Sequence, residues 1–161
     1  MGILFIIELK GRLVRMKKIL IPVDSSEFSE RAVEEGKIMA KAFGSQVVLM
    51  YVVATRVANP RFGIELSRIQ IQDPKALIEE NGAKEMIEKY KESFGEMKDK
   101  VETFVVHGIV ADEIIEAINN KDIDFVIMGS HGIGSTLYRA LLGSVTNKVI
   151  HHSEKPVLVI R

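Results

Sequence analysis

The chain has 161 residues, of which 47% are hydrophobic and 27% are charged, a balance typical of one folded domain rather than of a disordered segment. The 22 Lys and Arg residues match 22 Asp and Glu residues, and a net charge of zero argues against nucleic acid or an anionic membrane as a partner. The absence of cysteine excludes disulfides, thiol nucleophiles and thiolate metal sites, and it fits a cytoplasmic protein.

Residues 1–15 are predicted to form a peripheral N-terminal extension, followed by a single domain over residues 16–161. The apolar run at residues 3–7 is far shorter than the roughly 20 residues that a membrane span requires. Basic residues follow this run, whereas a signal peptide carries them before it. Two interpretations of the extension stay open. Either MKKILIPVD, from Met16, is the natural beginning of the protein, or residues 5–9 and 12–15 form a hairpin that turns at Lys10 and Gly11.

From Met16 onward, short apolar runs alternate with segments of helical periodicity. The runs KILIPV, QVVLMYVV, VETFVV, DFVIMG and PVLVI predict strands that are covered on both faces. Helices are predicted over residues 25–43, 75–100, 111–120 and 137–152. This alternation predicts an α/β fold, an open doubly wound parallel sheet with helices on both faces. The long irregular stretch at residues 55–74 is expected to have a functional role.

The segment GSHGIGST, residues 129–136, follows the fourth predicted strand and nearly matches the P-loop G-x-x-x-x-G-K-[ST]. Ser135 replaces the lysine of that motif. Glycines let backbone amides turn inward, and with the N-terminus of the following helix these amides can bind an anion. A tight turn without a ligand is the alternative. Gly143 favours the anion site, because a glycine inside a helix costs about 1 kcal/mol relative to alanine. A second close backbone approach, or a helix that begins afresh at Gly143 and donates its own amides, would explain that cost.

Asp24 follows the first predicted strand and is the second candidate. Ligands of such sheets bind beyond the carboxyl ends of the strands, where the winding reverses. If the first and fourth strands are neighbours, Asp24 lies opposite the glycine loop and can accept hydrogen bonds from a base or a ribose. Asp24 and Glu27 also form a D-x-x-E pattern, which predicts helix capping. His131 is interpreted as a lid or hydrogen-bonding residue rather than a metal ligand, because no second histidine lies nearby at metal-binding spacing.

Two segments carry a family resemblance, MKKILIPVDSSEFSERAVEEG and MGSHGIGSTLYRALLGSVTNKVIHHSEKPVLVIR. They resemble the universal stress protein family, and the likeness spans residues 16–161. The ATP-binding branch of that family is marked by G-x2-G-x9-G-[ST]. Gly129, Gly132, Gly143 and Ser144 fit the pattern, except that ten residues rather than nine separate Gly132 from Gly143. We expect the additional residue to form a bulge in the loop.

The resemblance implies a five-stranded sheet of order 3-2-1-4-5 and a site for ATP, or for ADP or AMP. The residues implied at adenine and ribose are Pro22, Val23 and Asp24, with Val52 against the base. The residues implied around the phosphates and ribose are Gly129, Ser130, His131, Gly132, Ile133, Gly134, Ser135, Gly143, Ser144, Val145 and Thr146. Mg²⁺ or Mn²⁺ would be carried on the phosphates, since no carboxylate cluster in the sequence forms a cage for it.

The resemblance also implies a homodimer. In the implied order the last strand, residues 157–160, lies at the edge of the sheet, and an apolar edge strand favours pairing with a second copy. Coverage of that edge by the N-terminal extension is the alternative. The stretch at residues 55–74 would then serve either as a lid over the nucleotide or as a dimer contact.

Three functions fit these observations. The first is a stress-response regulatory protein that binds ATP and acts as a nucleotide-dependent switch on an unknown protein partner. The second is a slow ATPase, in which Asp24 or His131 positions water, although no catalytic residue can be assigned. The third is a nucleotide-free dimeric scaffold or chaperone-like protein. The missing P-loop lysine favours binding over rapid phosphoryl transfer, which requires charge neutralisation at the γ-phosphate.

Overall fold

The computed structural model describes residues 6–9, 12–55, 74–132 and 142–161. Its elements in chain order are β1 Ile6–Leu9, β2 Arg12–Arg15, β3 Lys18–Pro22, α1 Glu27–Phe43, β4 Gln46–Ala54, α2 Pro74–Glu92, a 3₁₀ helix Gly95–Lys100, β5 Val101–Gly108, α3 Val110–Asn120, β6 Phe125–Gly129, α4 Ser144–His152 and β7 Val157–Ile160. Strands β3 to β7 form one parallel sheet of order β5-β4-β3-β6-β7. Counted from β3, this is the predicted order 3-2-1-4-5, and the predicted fold class is confirmed.

The strands have continuous apolar sequences because both faces of the sheet are covered. Alternate residues of β3 enter different cores: Ile19 and Ile21 pack beneath α1 and α2, whereas Leu20 packs beneath α3 and α4. All three side chains are fully buried. Burying a side chain of this size contributes about 1.5–3 kcal/mol, so the two-sided core carries much of the stability.

The winding of the chain reverses between β3 and β6. Beyond β3 the chain adds β4 and then β5 on one side, and after α3 it crosses to add β6 and β7 on the other side. β6 lies directly beside β3, with Leu20 in register with Val126. The carboxyl ends of β3 and β6 therefore meet at the point where sheets of this type bind ligands.

Helix α1 begins differently from the predicted D-x-x-E cap. Its N-cap is Ser26, whose Oγ accepts a hydrogen bond from the amide of Ser29 at 3.2 Å. Asp24 lies two residues before the cap and makes other contacts, so the capping interpretation of Asp24 with Glu27 is wrong. The predicted C-terminal stop is confirmed, because Gly44 adopts φ +69° and its amide bonds to the carbonyl of Ala40.

The predicted helix over residues 75–100 is two helices. α2 ends at Glu92, and a 3₁₀ helix begins at Gly95, which takes φ +58°. A glycine with positive φ therefore stands between the two helices, and the charged periodicity continues past it. Leu77 and Ile78, two apolar residues of the predicted helix, are 54% and 72% exposed, because they precede the turns in which α2 reaches the core through Ala83 and Ile87.

Helix α4 begins at Ser144, so the prediction of one helix continuing through Gly143 is corrected. Gly143 is the N-cap, with φ −59° and ψ 154°, and Leu142 is not helical either. The fresh helix start is the alternative that the glycine suggested. It gives the protein a second helix N-terminus at the ligand-binding edge of the sheet.

Strands β1 and β2 pair antiparallel, with Ile6 opposite Arg15 and Leu9 opposite Arg12. The turn predicted at Lys10 and Gly11 lies outside the described residues, as does most of the irregular stretch, residues 56–73. The boundary between an extension and a domain at residue 16 remains a prediction. Across the described ranges, no helix combines the length and apolar character needed to cross a membrane.

Candidate functional site

A cleft of about 580 Å³ opens at the carboxyl edge of the sheet, where β3, β4 and β6 end. Eleven of the fifteen predicted site residues line it: Pro22, Val23, Asp24, Val52, Gly129, His131, Gly132, Gly143, Ser144, Val145 and Thr146. Ser130 lies beneath the cleft instead and is 1% exposed. Ile133, Gly134 and Ser135 fall outside the described residues. The volume lies within the range of roughly 300–1,000 Å³ found for small-molecule and cofactor sites.

Asp24 and Gly132 meet at the wall of the cleft, as expected if the first and fourth predicted strands are neighbours. A Cβ added to Gly132 would lie 2.7 Å from Oδ2 of Asp24, closer than any ordinary contact. The backbone of Gly132 therefore lies so close to the carboxylate that the Cβ of any other residue would clash with it. Glycine here is explained by a close backbone approach, since its backbone torsions are not left-handed.

The carboxylate of Asp24 is held from below by the start of α1. The amide of Ser26 donates to Oδ1 at 3.0 Å, and the hydroxyl of Ser29 donates to the same oxygen at 2.7 Å. The amide of Asp24 in turn donates to Ser29 Oγ at 2.9 Å. These bonds fix the orientation of Asp24 at the wall of the cleft.

The N-terminus of α4 forms the opposite end of the cleft. The amide of Gly143 donates to the carbonyl of Ser130 at 2.8 Å, and Asn147 donates the first helical hydrogen bond back to Gly143. The amides of Ser144, Val145 and Thr146 consequently have no partner within the helix. Such amides, together with the helix dipole, favour a bound anion.

The connection between β6 and α4 is fixed by a buried hydroxyl. Thr146 is 3% exposed, and its Oγ1 donates to the carbonyl of Gly129 at 2.9 Å. A Cβ added to Gly143 would lie 3.2 Å from the carbonyl oxygen of Ser130. The two ends of the glycine segment are thus packed backbone against backbone, which holds the α4 amides in place.

His131 is a half-buried residue of the cleft wall. Its Nδ1 lies 3.0 Å from Ser130 Oγ, and its ring centroid lies 5.3 Å from that of Phe28 on α1. These contacts fix the ring at the cleft rather than extending it into solvent. The hydrogen-bonding role predicted for His131 is compatible with this placement and remains a prediction.

One wall of the cleft is apolar and was largely missed by sequence reasoning. Beside the predicted Val52 it contains Met50, Ala54, Val110, Ile114 and Met128. Val110 and Ile114 are one turn apart on α3, at the helix end that leads from the neighbouring β5. Ile114 lies in the predicted helix 111–120 and Val110 directly before it, and only the sheet order brings this helix to the cleft.

Tyr51 and Glu79 contribute polar groups that the sequence did not single out. Tyr51 Oη lies 3.4 Å from Glu79 Oε1, which joins β4 to α2. Burial raises the pKa of the Tyr51 phenol, and the negative charges of Glu79 and Asp24 raise it further. The phenol therefore stays protonated and acts as a hydrogen-bond donor at neutral pH.

The charged side chains on the described lining are Asp24 and Glu79, and no lysine or arginine is among them. Lys148, a nearby cation on α4, pairs with Asp112 on α3 at 2.5 Å. Within the described ranges, no three His, Cys, Asp or Glu residues lie close enough together to hold a metal ion. An anion in the described part of the cleft would thus be bound mainly by backbone amides.

The profile of the Universal stress protein family matches residues 16–161. The chain belongs to this family. The universal stress protein MJ0577 of Methanocaldococcus jannaschii is 35% identical over 159 residues, covering 92% of this chain and 96% of that protein. The solved structure of MJ0577 superposes with a TM-score of 0.74 at 32% identity, covering 91% and 96% of the two chains.

Other solved family members share the architecture. Universal stress protein UspA from Lactobacillus plantarum has a TM-score of 0.76 at 26% identity, over 91% of this chain and 99% of its own. A universal stress protein from Archaeoglobus fulgidus, solved in complex with dAMP, has a TM-score of 0.57 at 20% identity, over 92% and 99%. The last likeness extends to the fold alone.

Proposed function

We propose that the chain binds an adenine nucleotide, ATP above all, in the cleft at the β3–β6 junction and acts as a nucleotide-dependent switch. The observation that carries the proposal is the contact of the Asp24 carboxylate with the backbone of Gly132, with the first amides of α4, which have no partner within the helix, at the same cleft. Acceptors for a sugar and donors for phosphates thereby meet in one cavity of suitable volume.

The residues present fit the parts of a nucleotide. Val52 and the apolar wall at Val110 and Ile114 would cover a flat base. Asp24 would accept hydrogen bonds from sugar hydroxyls, and the amides of residues 144–146 would donate to phosphate oxygens. Because the described lining holds no basic side chain, Mg²⁺ or Mn²⁺ carried by the nucleotide would supply the positive charge that the P-loop lysine supplies elsewhere.

Binding without rapid hydrolysis is the activity that the described residues favour. Phosphoryl transfer requires a positioned nucleophile and charge stabilisation at the γ-phosphate. Asp24 Oδ1 already accepts two hydrogen bonds from α1, and Lys148 is engaged by Asp112. A ligand that binds one conformation better than another shifts the population toward it, which is the physical basis of a switch.

The partners proposed from the sequence are consistent with the fold. β7, Val157–Ile160, lies at the sheet edge, and its side chains are half-buried, so pairing with a second copy would cover them. We propose this strand as a homodimer contact and the cytoplasm as the location. The family member solved with dAMP is only 20% identical to this chain, so its ligand cannot be assigned to this chain on that likeness. Support for a nucleotide comes from the residues of the cleft.

Two measurements on the full-length protein test the proposal. Small molecules released from the purified protein by denaturation are identified by mass, and ATP, ADP, AMP and GTP are titrated calorimetrically with Mg²⁺. We expect an adenine nucleotide in the extract and tighter binding of ATP than of GTP. Absence of any ATP binding at millimolar concentration would refute the proposal and favour the scaffold alternative. Phosphate release that is lost in Asp24→Asn, while ATP still binds, would favour the slow ATPase.

A further inference from the structure

His131 lies in the cleft wall between α1 and the beginning of α4. Its ring centroid is 5.3 Å from that of Phe28 on α1. Its Cα lies 3.4 Å from the position that a Cβ on Gly143, the N-cap of α4, would take. The residue lines the cleft and is half-buried. His131 therefore adjoins the helix N-terminus at which the phosphates of a nucleotide are expected.

One of the two ring nitrogens of His131 is already engaged. Nδ1 lies 3.0 Å from Oγ of Ser130, which is 1% exposed. The backbone of Ser130 is itself fixed, because its amide donates to the carbonyl of Ile160 at 2.7 Å and its carbonyl accepts from the amide of Gly143 at 2.8 Å. A hydroxyl can donate or accept, so this contact fits a neutral and a protonated imidazole. Within the described ranges no residue hydrogen-bonds to Nε2, which leaves that nitrogen for a ligand.

His131 can supply a charge that the cleft otherwise lacks. The described lining contains no lysine or arginine, so His131 is its only member that can gain a positive charge. Imidazole is the side chain that ordinarily changes its charge between pH 5 and pH 8. The positive end of the α4 dipole opposes protonation of a nearby imidazole, whereas a bound phosphate favours it. Phosphate binding and proton uptake by His131 should therefore support each other.

The other charged groups around His131 belong to classes that do not titrate in this pH range. Glu27 and Arg31 pair with each other at 3.1 Å, and Lys148 pairs with Asp112. The charged groups on the neighbouring elements are Asp24 before α1, Glu27 and Arg31 on α1, Glu79 on α2, Lys148 on α4 and Arg161 after β7. Carboxylates, ammonium groups and guanidinium groups ordinarily keep their charges between pH 6 and pH 8. A pH dependence of affinity that disappears when residue 131 is changed would thus come from the imidazole.

We propose that His131 takes up a proton when the phosphates of the nucleotide bind, so that the affinity for ATP rises as the pH falls from 8 to 6. The proposal rests on the proposed function, since the phosphates must lie at the beginning of α4. The bound anion raises the pH at which the imidazole loses its proton. The gain in affinity is therefore complete below the pH at which the free imidazole titrates, and it is lost as the pH rises through the titration of the complex. The nucleotide switch would then respond to acidification as well as to nucleotide concentration.

The test measures the dissociation constant of ATP with Mg²⁺ at pH 6, 7 and 8 by calorimetry on the full-length wild type and on His131→Gln. Glutamine keeps a hydrogen-bonding side chain that does not titrate, so the variant reports the pH dependence of the nucleotide and of all other groups. Between pH 8 and pH 6 the wild type should gain about fivefold in affinity relative to the variant. A displacement of the imidazole titration by about one pH unit gives a factor of this size.

Two controls isolate the contact between imidazole and phosphate. His151→Gln removes a histidine from the last turn of α4, where its Nδ1 lies 2.8 Å from the carbonyl oxygen of Asn147. This variant should keep the pH dependence of the wild type. Adenosine has no phosphate, and its affinity for the wild type and for His131→Gln should change equally little with pH.

A second measurement needs no folded variant. The chain has four histidines, whose ring signals can be assigned by nuclear magnetic resonance and followed against pH with and without saturating ATP. The midpoint of the His131 titration should move upward by about one pH unit when ATP is bound. The midpoint of His151 should stay where it is.

The outcomes separate this proposal from the proposed function. A wild type that binds no ATP at any of these pH values would end the proposed function. ATP binding with the same pH dependence in the wild type and in His131→Gln, or a His131 titration that ATP does not move, would overturn the role of His131 and leave nucleotide binding standing. Equal weakening of ATP binding at all pH values in His131→Gln would also contradict it, since that result indicates a structural effect.

Discussion

Asp24 Oδ2 and the backbone of Gly132 meet at the junction of β3 and β6, separated by less space than a methyl group would occupy. Asp24 lies two residues after the end of β3, and Gly132 lies three residues after the end of β6. Their proximity results from the reversal of winding, which places β6 beside β3. The same reversal brings the α4 amides to the cleft, so one topological feature assembles both halves of the candidate site.

Replacing Gly132 and Gly143 together by valine should abolish ATP binding. The new side chains would enter the cleft against Asp24 and against the backbone of Ser130. Both positions have ordinary backbone torsions, so the fold should persist, as circular dichroism can verify. Calorimetry measures the affinity. Gly82→Val is the control, because the described chain leaves open space around Gly82 on α2; wild-type affinity in the double variant would contradict the prediction.

Thr146→Val should lower the free energy of unfolding by about 1–2 kcal/mol. The substitution keeps the shape of the side chain and leaves the carbonyl of Gly129 without its hydroxyl donor. Thr146→Ser retains the donor and should cost less. Urea denaturation of both variants checks the difference. If the serine variant is the less stable of the two, packing of the methyl group outweighs the hydrogen bond.

Gly36→Ala should destabilise the protein although alanine favours helices. The added Cβ would overlap Cδ1 of the buried Ile21. Overpacking of this kind costs about 1–3 kcal/mol, which exceeds the helix-propensity gain of about 1 kcal/mol. The same change at Gly82, in the exposed part of α2, should instead stabilise by about 0.5–1 kcal/mol. Opposite shifts of the denaturation midpoint are expected; parallel shifts would refute the packing argument.

Glu113→Gln should raise the thermal stability more at pH 7 than at pH 4. Burial raises the pKa of the Glu113 carboxyl, and the charges of Glu116 and Asp112 raise it further. The folded protein then holds the proton more tightly than the unfolded chain, whose pKa is about 4.3. Stability from this group is present below that value and is lost as the pH rises through the folded pKa.

The control for that prediction is Glu35→Gln, which removes the same charge from an exposed position on α1. Melting temperatures of the wild type and both variants at several pH values give the comparison. A Glu113→Gln difference that stays constant between pH 4 and pH 7 would contradict the raised pKa.

The sheet could be predicted because its central strands β3, β4 and β6 are buried on both faces and therefore have nearly unbroken apolar sequences. The proximity of Asp24 and Gly132 could be predicted because the strands that precede them were expected to be neighbours in the sheet. Ser29 could not be predicted, because its contact depends on how the chain turns between Asp24 and Ser26. Tyr51 and Glu79 meet only because α2 crosses β4, a packing relation that periodicity does not encode.

The two helix errors have one cause. The helical periodicity of apolar and charged residues continues through Gly95 and Gly143. This periodicity carries no information about the backbone torsions at either glycine. Gly95 takes a positive φ where the 3₁₀ helix begins, three residues after α2 ends, and Gly143 takes an extended torsion where α4 begins. Both glycines were visible in the sequence and are better signals of helix boundaries than the periodicity around them.

The most direct test is nuclear magnetic resonance of the ¹⁵N-labelled full-length protein during a titration with ATP and Mg²⁺. It shows whether backbone amides at the β6–α4 junction bind a nucleotide. We expect the largest amide shifts at residues 129–132 and 143–146, with a second group around Asp24 and Val52. Saturating ATP that leaves these amides unmoved, or that shifts mainly the far end of the sheet where β3 begins at Lys18, would contradict the account.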